Sequence, residues 1–134
     1  MAVKRIEALA DAIAFLNKTH DPNSDAYQLR NPGMFRVYSF KHLNSSDNLG
    51  RRIFTSMIGG YRFLIQDLTW KCEGSTRAKG AVGKLKPTST LSDLMLSFKL
   101  GTEENLFILV DFLVNALGDE SISTETEIGY FLKD

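Results

Sequence analysis

The chain has 134 residues, with 16 Lys and Arg against 16 Asp and Glu and a formal net charge of zero. That length suits one domain with a real hydrophobic core, and the ordinary apolar and charged fractions exclude a disordered chain. Neutrality argues against nucleic acid or anionic lipid as a partner, and a lone cysteine, Cys72, excludes a disulfide-stapled scaffold.

No run approaches the roughly 18 apolar residues of a membrane span. The start, Met1-Ala2-Val3-Lys4-Arg5-Ile6-Glu7, has charges but no apolar stretch behind it. It reads as a helix start and not a signal peptide, so the chain is expected to be made in the cytoplasm.

The first helix is expected from Val3 to Leu16, with Ile6, Leu9, Ile13 and Leu16 on one apolar stripe. Asp21-Pro22-Asn23-Ser24 breaks it. A loop follows to Gly33, with Asn31 pushed to an extended backbone by Pro32. Met34 to Phe40 is aromatic, β-branched and alternating, which predicts a strand. Arg51-Arg52-Ile53-Phe54 is its expected partner across the turn-rich segment 44–50, giving a small antiparallel hairpin.

Thr55 or Ser56 is a cap for the next helix, whose inner face carries Met57, Tyr61, Leu64, Leu68 and Cys72. Gly59-Gly60 in its first turns predicts close approach of another backbone or of a ligand. Glu73 to Pro87 reads as a loop rich in glycine and basic residues. Thr90-Leu91-Ser92-Asp93 opens a helix to Leu100, which Gly101 stops. Glu103-Glu104 start another, which ends at Leu117-Gly118. Thr124-Glu125-Thr126-Glu127 is a capping box for a short last helix ending in Tyr130-Phe131-Leu132.

The usual catalytic and cofactor signatures are missing. His20 and His42 have no metal-spaced partners, so neither a metal nor a cofactor is expected. Gly80-Ala81-Val82-Gly83-Lys84 lacks the full phosphate-loop spacing, and no aromatic platform accompanies its lysines for nucleic acid.

The order of motifs carries more. Ala12-Ile13-Ala14-Phe15-Leu16-Asn17-Lys18, then Asn31-Pro32-Gly33 and Arg36, resembles the small lysozyme-like and lytic-transglycosylase-like domains of bacteria and phages. There the first helix ends A-I-A-x-x-E-G and the loop reads N-N-N-P-G-N-L. Phe54-Thr55-Ser56, Gly60-Tyr61, Gly74-Ser75-Thr76-Arg77, Ser89-Thr90-Leu91-Ser92-Asp93 and Phe112-Leu113-Val114-Asn115-Ala116-Leu117-Gly118 continue the pattern over nearly the whole chain. Asn17 stands where the family has its catalytic Glu, and Lys18 where it has Gly.

The resemblance implies an α+β, mainly α, lysozyme-like single domain spanning 1–134, with a hairpin after its first helix. It implies a degenerate glycan site with no catalytic residue, in which Asn17 and Asn31 hydrogen-bond a peptidoglycan or chitin-like chain and Tyr27 and Tyr38 line the cleft. An amide has no proton to give a leaving oxygen; it can only hydrogen-bond. Asn near a helix end is also a common left-handed cap, and that reading stands beside the other. Two alternatives stay open. One is an active muramidase or lytic transglycosylase with Asp21 or Asp25 recruited as acid. The other is a structural or adaptor protein of a phage or mobile element, which binds a protein partner.

Overall fold

A computed structural model describes residues 4–37, 45–78 and 85–133. Among the described residues five α-helices follow one another: α1 (Arg5–Leu16), α2 (Asp25–Gln28), α3 (Met57–Glu73), α4 (Leu91–Ser97) and α5 (Glu103–Leu117). A 3₁₀ turn, Ile128–Leu132, closes the order. None is long and apolar enough to cross a membrane among the described residues.

The core is built round α1. Its small residues Ala8, Ala10, Ala12 and Ala14 are as buried as Leu9 and Ile13, so α1 is covered on more than the one stripe its larger residues mark. The alanines let α3, α5 and the 3₁₀ turn pack against it. Leu64, Leu68 and Cys72 of α3, Leu91, Leu94 and Met95 of α4, Leu109 and Leu113 of α5, and Ile128 and Phe131 complete the cluster. Each fully buried Leu or Ile stabilises the fold by roughly 1.5–3 kcal/mol relative to exposure.

Caps set the helix starts. Ser56 Oγ accepts the Gly59 N–H at 3.0 Å. Thr90 and Asp93 cap each other reciprocally, Thr90 Oγ1 accepting the Asp93 N–H at 3.2 Å and Asp93 Oδ2 the Thr90 N–H at 3.1 Å. Thr102 accepts the Asn105 N–H at the head of α5, where Glu103 and Glu104 also meet the positive end of the helix dipole. The box expected at Thr124–Glu127 does not form. Thr126 Oγ1 accepts the Ser123 N–H instead, and the segment beyond is the 3₁₀ turn, with no side-chain cap.

The expected hairpin is not seen among the described residues, and with it goes the α+β class; the mainly helical character holds. Among the described residues no strand forms; the chain is helical, with isolated antiparallel bridges at Arg36–Arg51, Ser46–Arg52 and Thr90–Glu127. The pairing that remains is short, Val37 N–H on the Gly50 carbonyl and Arg52 N–H on the Phe35 carbonyl, and side chains supplement it. Asn31 binds the backbone at Phe35 and at Arg52, and the Asp47 carboxylate accepts the Leu49 and Arg51 N–H groups. Met34, the first residue expected in a strand, has φ 52°, which turns the chain instead of extending it. The remainder of the expected strand, Tyr38 to Phe40, lies outside the described residues.

Gly60 marks the close approach expected of the glycine pair. A Cβ there would fall inside the shell of the Arg30 carbonyl oxygen and 2.8 Å from Pro32 Cδ. At Gly59 the nearest group is Ser56 Oγ, 3.1 Å away. The backbone of residues 30–32 thus lies directly on the first turn of α3, which seats the Asn31-Pro32-Gly33 loop.

Candidate functional site

An open groove of about 480 Å³ lies between the end of α1, the Gly33–Arg36 loop and the end of α4. Asn17, Gly33, Met34 and Phe35 line one part of it, Arg36, Arg51 and Lys71 another, and Ser97, Phe98, Lys99 and Leu100 the remainder. Its size falls in the range of small-ligand sites. No carboxylate lines it among the described residues.

Asn17 reaches this groove because α1 ends there. Its Nδ2 donates to the Pro32 carbonyl at 2.9 Å, tying the helix end to the loop. It is not the left-handed cap. Its φ is −81°, and Lys18 takes the left-handed position at φ 61°. The bonds Thr19 N–H to Ala14 O and Lys18 N–H to Phe15 O close a Schellman motif around Lys18.

The same closure recurs with unusual residues. Arg30 at φ 53° ends α2, with Asn31 N–H on Ala26 O and Arg30 N–H on Tyr27 O. Lys99 at φ 59° ends α4, with Leu100 N–H on Met95 O and Lys99 N–H on Leu96 O. The stop is therefore Lys99, not Gly101. By contrast α3 and α5 end on Gly74 and Gly118, which adopt this backbone freely. A side chain there costs on the order of 1–2 kcal/mol. Met34 at φ 52° adds a fourth such residue, and Met34 and Lys99 both line the groove.

The other expected site residues are placed elsewhere. Asn31 is wholly buried: Nδ2 donates to the Phe35 and Arg52 carbonyls, both at 2.9 Å, and Oδ1 accepts the Phe35 N–H at 2.9 Å. It builds the loop beneath the groove and presents no donor to a ligand. Tyr27 sits exposed on α2 and does not line the groove. Tyr38 lies outside the described residues. Of the two candidate recruited acids, Asp25 pairs with Arg51 Nη1 at 2.7 Å. Asp21 lines a different hollow beside Phe15 and His20.

Sequence reading missed the floor. Lys71 and Asp67, one helical turn apart on α3, form an ion pair that is almost fully buried, with Nζ 2.5 Å from Oδ2. The Lys71 ammonium lies 3.9 Å from the centre of the Phe98 ring and 5.6 Å from that of Phe35. Burial pulls its pKa below the usual lysine range, and Asp67 works to raise it. The signal was present: 67 and 71 fall at helical spacing within the apolar face of Leu64, Leu68 and Cys72. Cys72 itself is inert, its thiol pushed up to about 12 by burial.

Arg51 is tied at the groove edge. It reaches Asp25, and also Asp47 at 2.7 Å. Burial works to raise the Asp47 carboxyl, but hydrogen bonds from the Arg51 N–H, the Arg51 guanidinium and the Leu49 N–H hold it below its ordinary value. No cluster of three His, Cys, Asp or Glu side chains among the described residues is placed to hold a metal.

Comparison with family models, characterised proteins and solved structures yields no match.

Proposed function

We propose that this chain is a degenerate lysozyme-like domain that binds a glycan in the groove at the end of α1 without cutting it. One observation carries the reading. The groove wall reached by the end of the first helix bears an amide, Asn17, and no carboxylate lines the groove among the described residues. Protonating a glycosidic oxygen takes a positioned acid, and losing one forfeits about 10²–10⁴ in rate. What remains is a polar wall with half-buried Phe98 beside it and Phe35 packed beneath, a mixed lining that supports a sugar chain as ligand. Neither Asp21 nor Asp25 lines this groove, which weighs against a recruited acid.

The test is a peptidoglycan and chitin pull-down set beside a muramidase assay. Binding without turnover is the expected result; clear turnover by the wild-type chain would end the non-catalytic reading. A second reading, an adaptor that docks a protein, draws on a separate shallow hollow of about 450 Å³ lined by Phe15, Ile108, Phe112 and Ala116. Stable capture of a protein with no retention on any glycan would favour it.

A further inference from the structure

The glycan reading leaves open what kind of chain the groove prefers, and the charges lining it bear on that choice. Four basic side chains line the groove: Arg36, Arg51, Lys71 and Lys99. Two are already matched, Arg51 by Asp25 and Asp47 and Lys71 by Asp67. The other two are not. Arg36 is exposed and donates from Nη1 to the Leu49 carbonyl at 2.9 Å, and among the described residues neither it nor Lys99 has an ion pair. No acid lines the groove among the described residues, and its four cations face three paired carboxylates just outside it, Asp25, Asp47 and Asp67. That leaves a net positive site on a chain whose net charge is zero.

Lys99 adds a second, independent observation. It occupies the left-handed closing position of α4, as Lys18 and Arg30 do for α1 and α2, and of these three it alone lines the groove. Stability alone would favour glycine there. The side chain in its place lines the groove beside Met34, which also has a left-handed backbone.

Resting on the glycan reading, we propose that the groove takes a carboxylate-bearing glycan and that Arg36 and Lys99 hold its carboxylate. The guanidinium offers a planar fork to a carboxylate and the ammonium a point charge. Asn17, one hydrogen of its amide already on Pro32, keeps polar capacity for a hydroxyl or acetamido group.

The experiment is titration calorimetry on the full chain with three tetrasaccharides. Chitotetraose is neutral, a hyaluronan tetrasaccharide carries ring carboxylates, and a muramic-acid-containing tetrasaccharide carries lactyl ones. One or both acidic probes should bind at least roughly tenfold more tightly at low salt, with the advantage shrinking as salt screens it. Which of them gains identifies the source of the carboxylate. Arg36→Gln and Lys99→Gly should each weaken the acidic probe roughly tenfold and leave chitotetraose unchanged. Lys99→Gly should melt no lower than wild type, so its loss of affinity cannot come from misfolding. Equal affinity for acidic and neutral probes would overturn the acidic preference and leave glycan binding standing. Binding of none of the three would overturn both.

Discussion

Replacing Asn31 separates a residue that holds a ligand from one that holds the loop beneath it. Its buried side chain makes three hydrogen bonds, two in a buried setting to the Phe35 carbonyl and the Phe35 N–H and one to the partly buried Arg52 carbonyl. In Asn31→Ala the Phe35 carbonyl keeps the Arg52 N–H, at 2.9 Å. The Arg52 carbonyl and the Phe35 N–H lose their partner. A buried polar group left unmatched costs about 1–3 kcal/mol and a partly buried one less, so the two together give about 3 kcal/mol. That is a large part of the 5–15 kcal/mol typical of a whole domain. With a urea slope of about 2 kcal/mol per molar, the unfolding midpoint should fall by about 1.5 M. Trp70 fluorescence and far-ultraviolet dichroism can both follow it. Asn31→Asp should be at least as damaging at neutral pH, because it sets a carboxylate against two carbonyl oxygens. An Asn31→Ala protein with a wild-type midpoint and lost glycan binding would refute the structural role and return Asn31 to the ligand.

Three further outcomes follow from the geometry. Gly60→Ala should destabilise by at least about 2 kcal/mol, because its Cβ meets backbone at Arg30, while Gly59→Ala stays within about 1 kcal/mol; equal effects in denaturant titrations would contradict this packing. Lys71→Met leaves a buried carboxylate without its ammonium and should cost about 3–5 kcal/mol, whereas the double replacement Asp67→Leu with Lys71→Met should be far milder; equal thermal losses in the two would argue against a coupled pair. Hydrogen bonds from the Ser121 hydroxyl, the Tyr130 hydroxyl and the Ser121 N–H hold the Asp119 carboxyl down to about 2. Its folded pKa is thus below the unfolded one. The stability it contributes is complete above about pH 4 and drains away as pH falls through 2. Melting temperature should therefore drop between pH 4 and 2 more steeply in wild type than in Asp119→Asn, and parallel curves would count against it.

Local chemistry made most of the helices legible. The reciprocal Thr90–Asp93 cap, the Ser56 cap, the acids heading α5 and the glycine after Leu117 are written in adjacent residues, and the structure uses each as read. Gly60 was readable as a contact because a helix carries paired glycines only at a cost. The errors share a cause. Alternation in 34–40 suggested a strand, but the pairing depended on where Asn31 and Asp47 spent their side-chain hydrogen bonds, which periodicity does not record. The end of α1 at Leu16 was legible from the breaker cluster after it, whereas Arg30 and Lys99 in glycine's place hid the ends of α2 and α4, since turn reading leans on glycine to find them. A basic residue near a helix C-terminus is favoured by the dipole, and that weaker cue was the available one. For the site, Asn17 was placed at the groove by resemblance, whereas Lys71, Phe98 and Lys99 come from helices distant in sequence and meet it only through packing.

That packing also bears on whether a carboxyl placed at position 17 could act as an acid catalyst. In a working glycosidase the acid stays protonated near neutral pH because its pocket is apolar. A carboxyl introduced by Asn17→Glu would instead share the groove with Arg36 and Lys99. The buried pair reinforces them: Lys71 lines the groove and Asp67 does not, so the pair turns its positive end toward the site. Nearby cations favour the ionised carboxylate and lower its pKa, the opposite of what an acid catalyst requires. Asn17→Glu should therefore show no turnover in a muramidase assay at pH 7, and it should weaken an acidic tetrasaccharide more than chitotetraose by adding like charge. Robust turnover from that single change would mean that the groove still shelters a proton, and the electrostatic argument would fail.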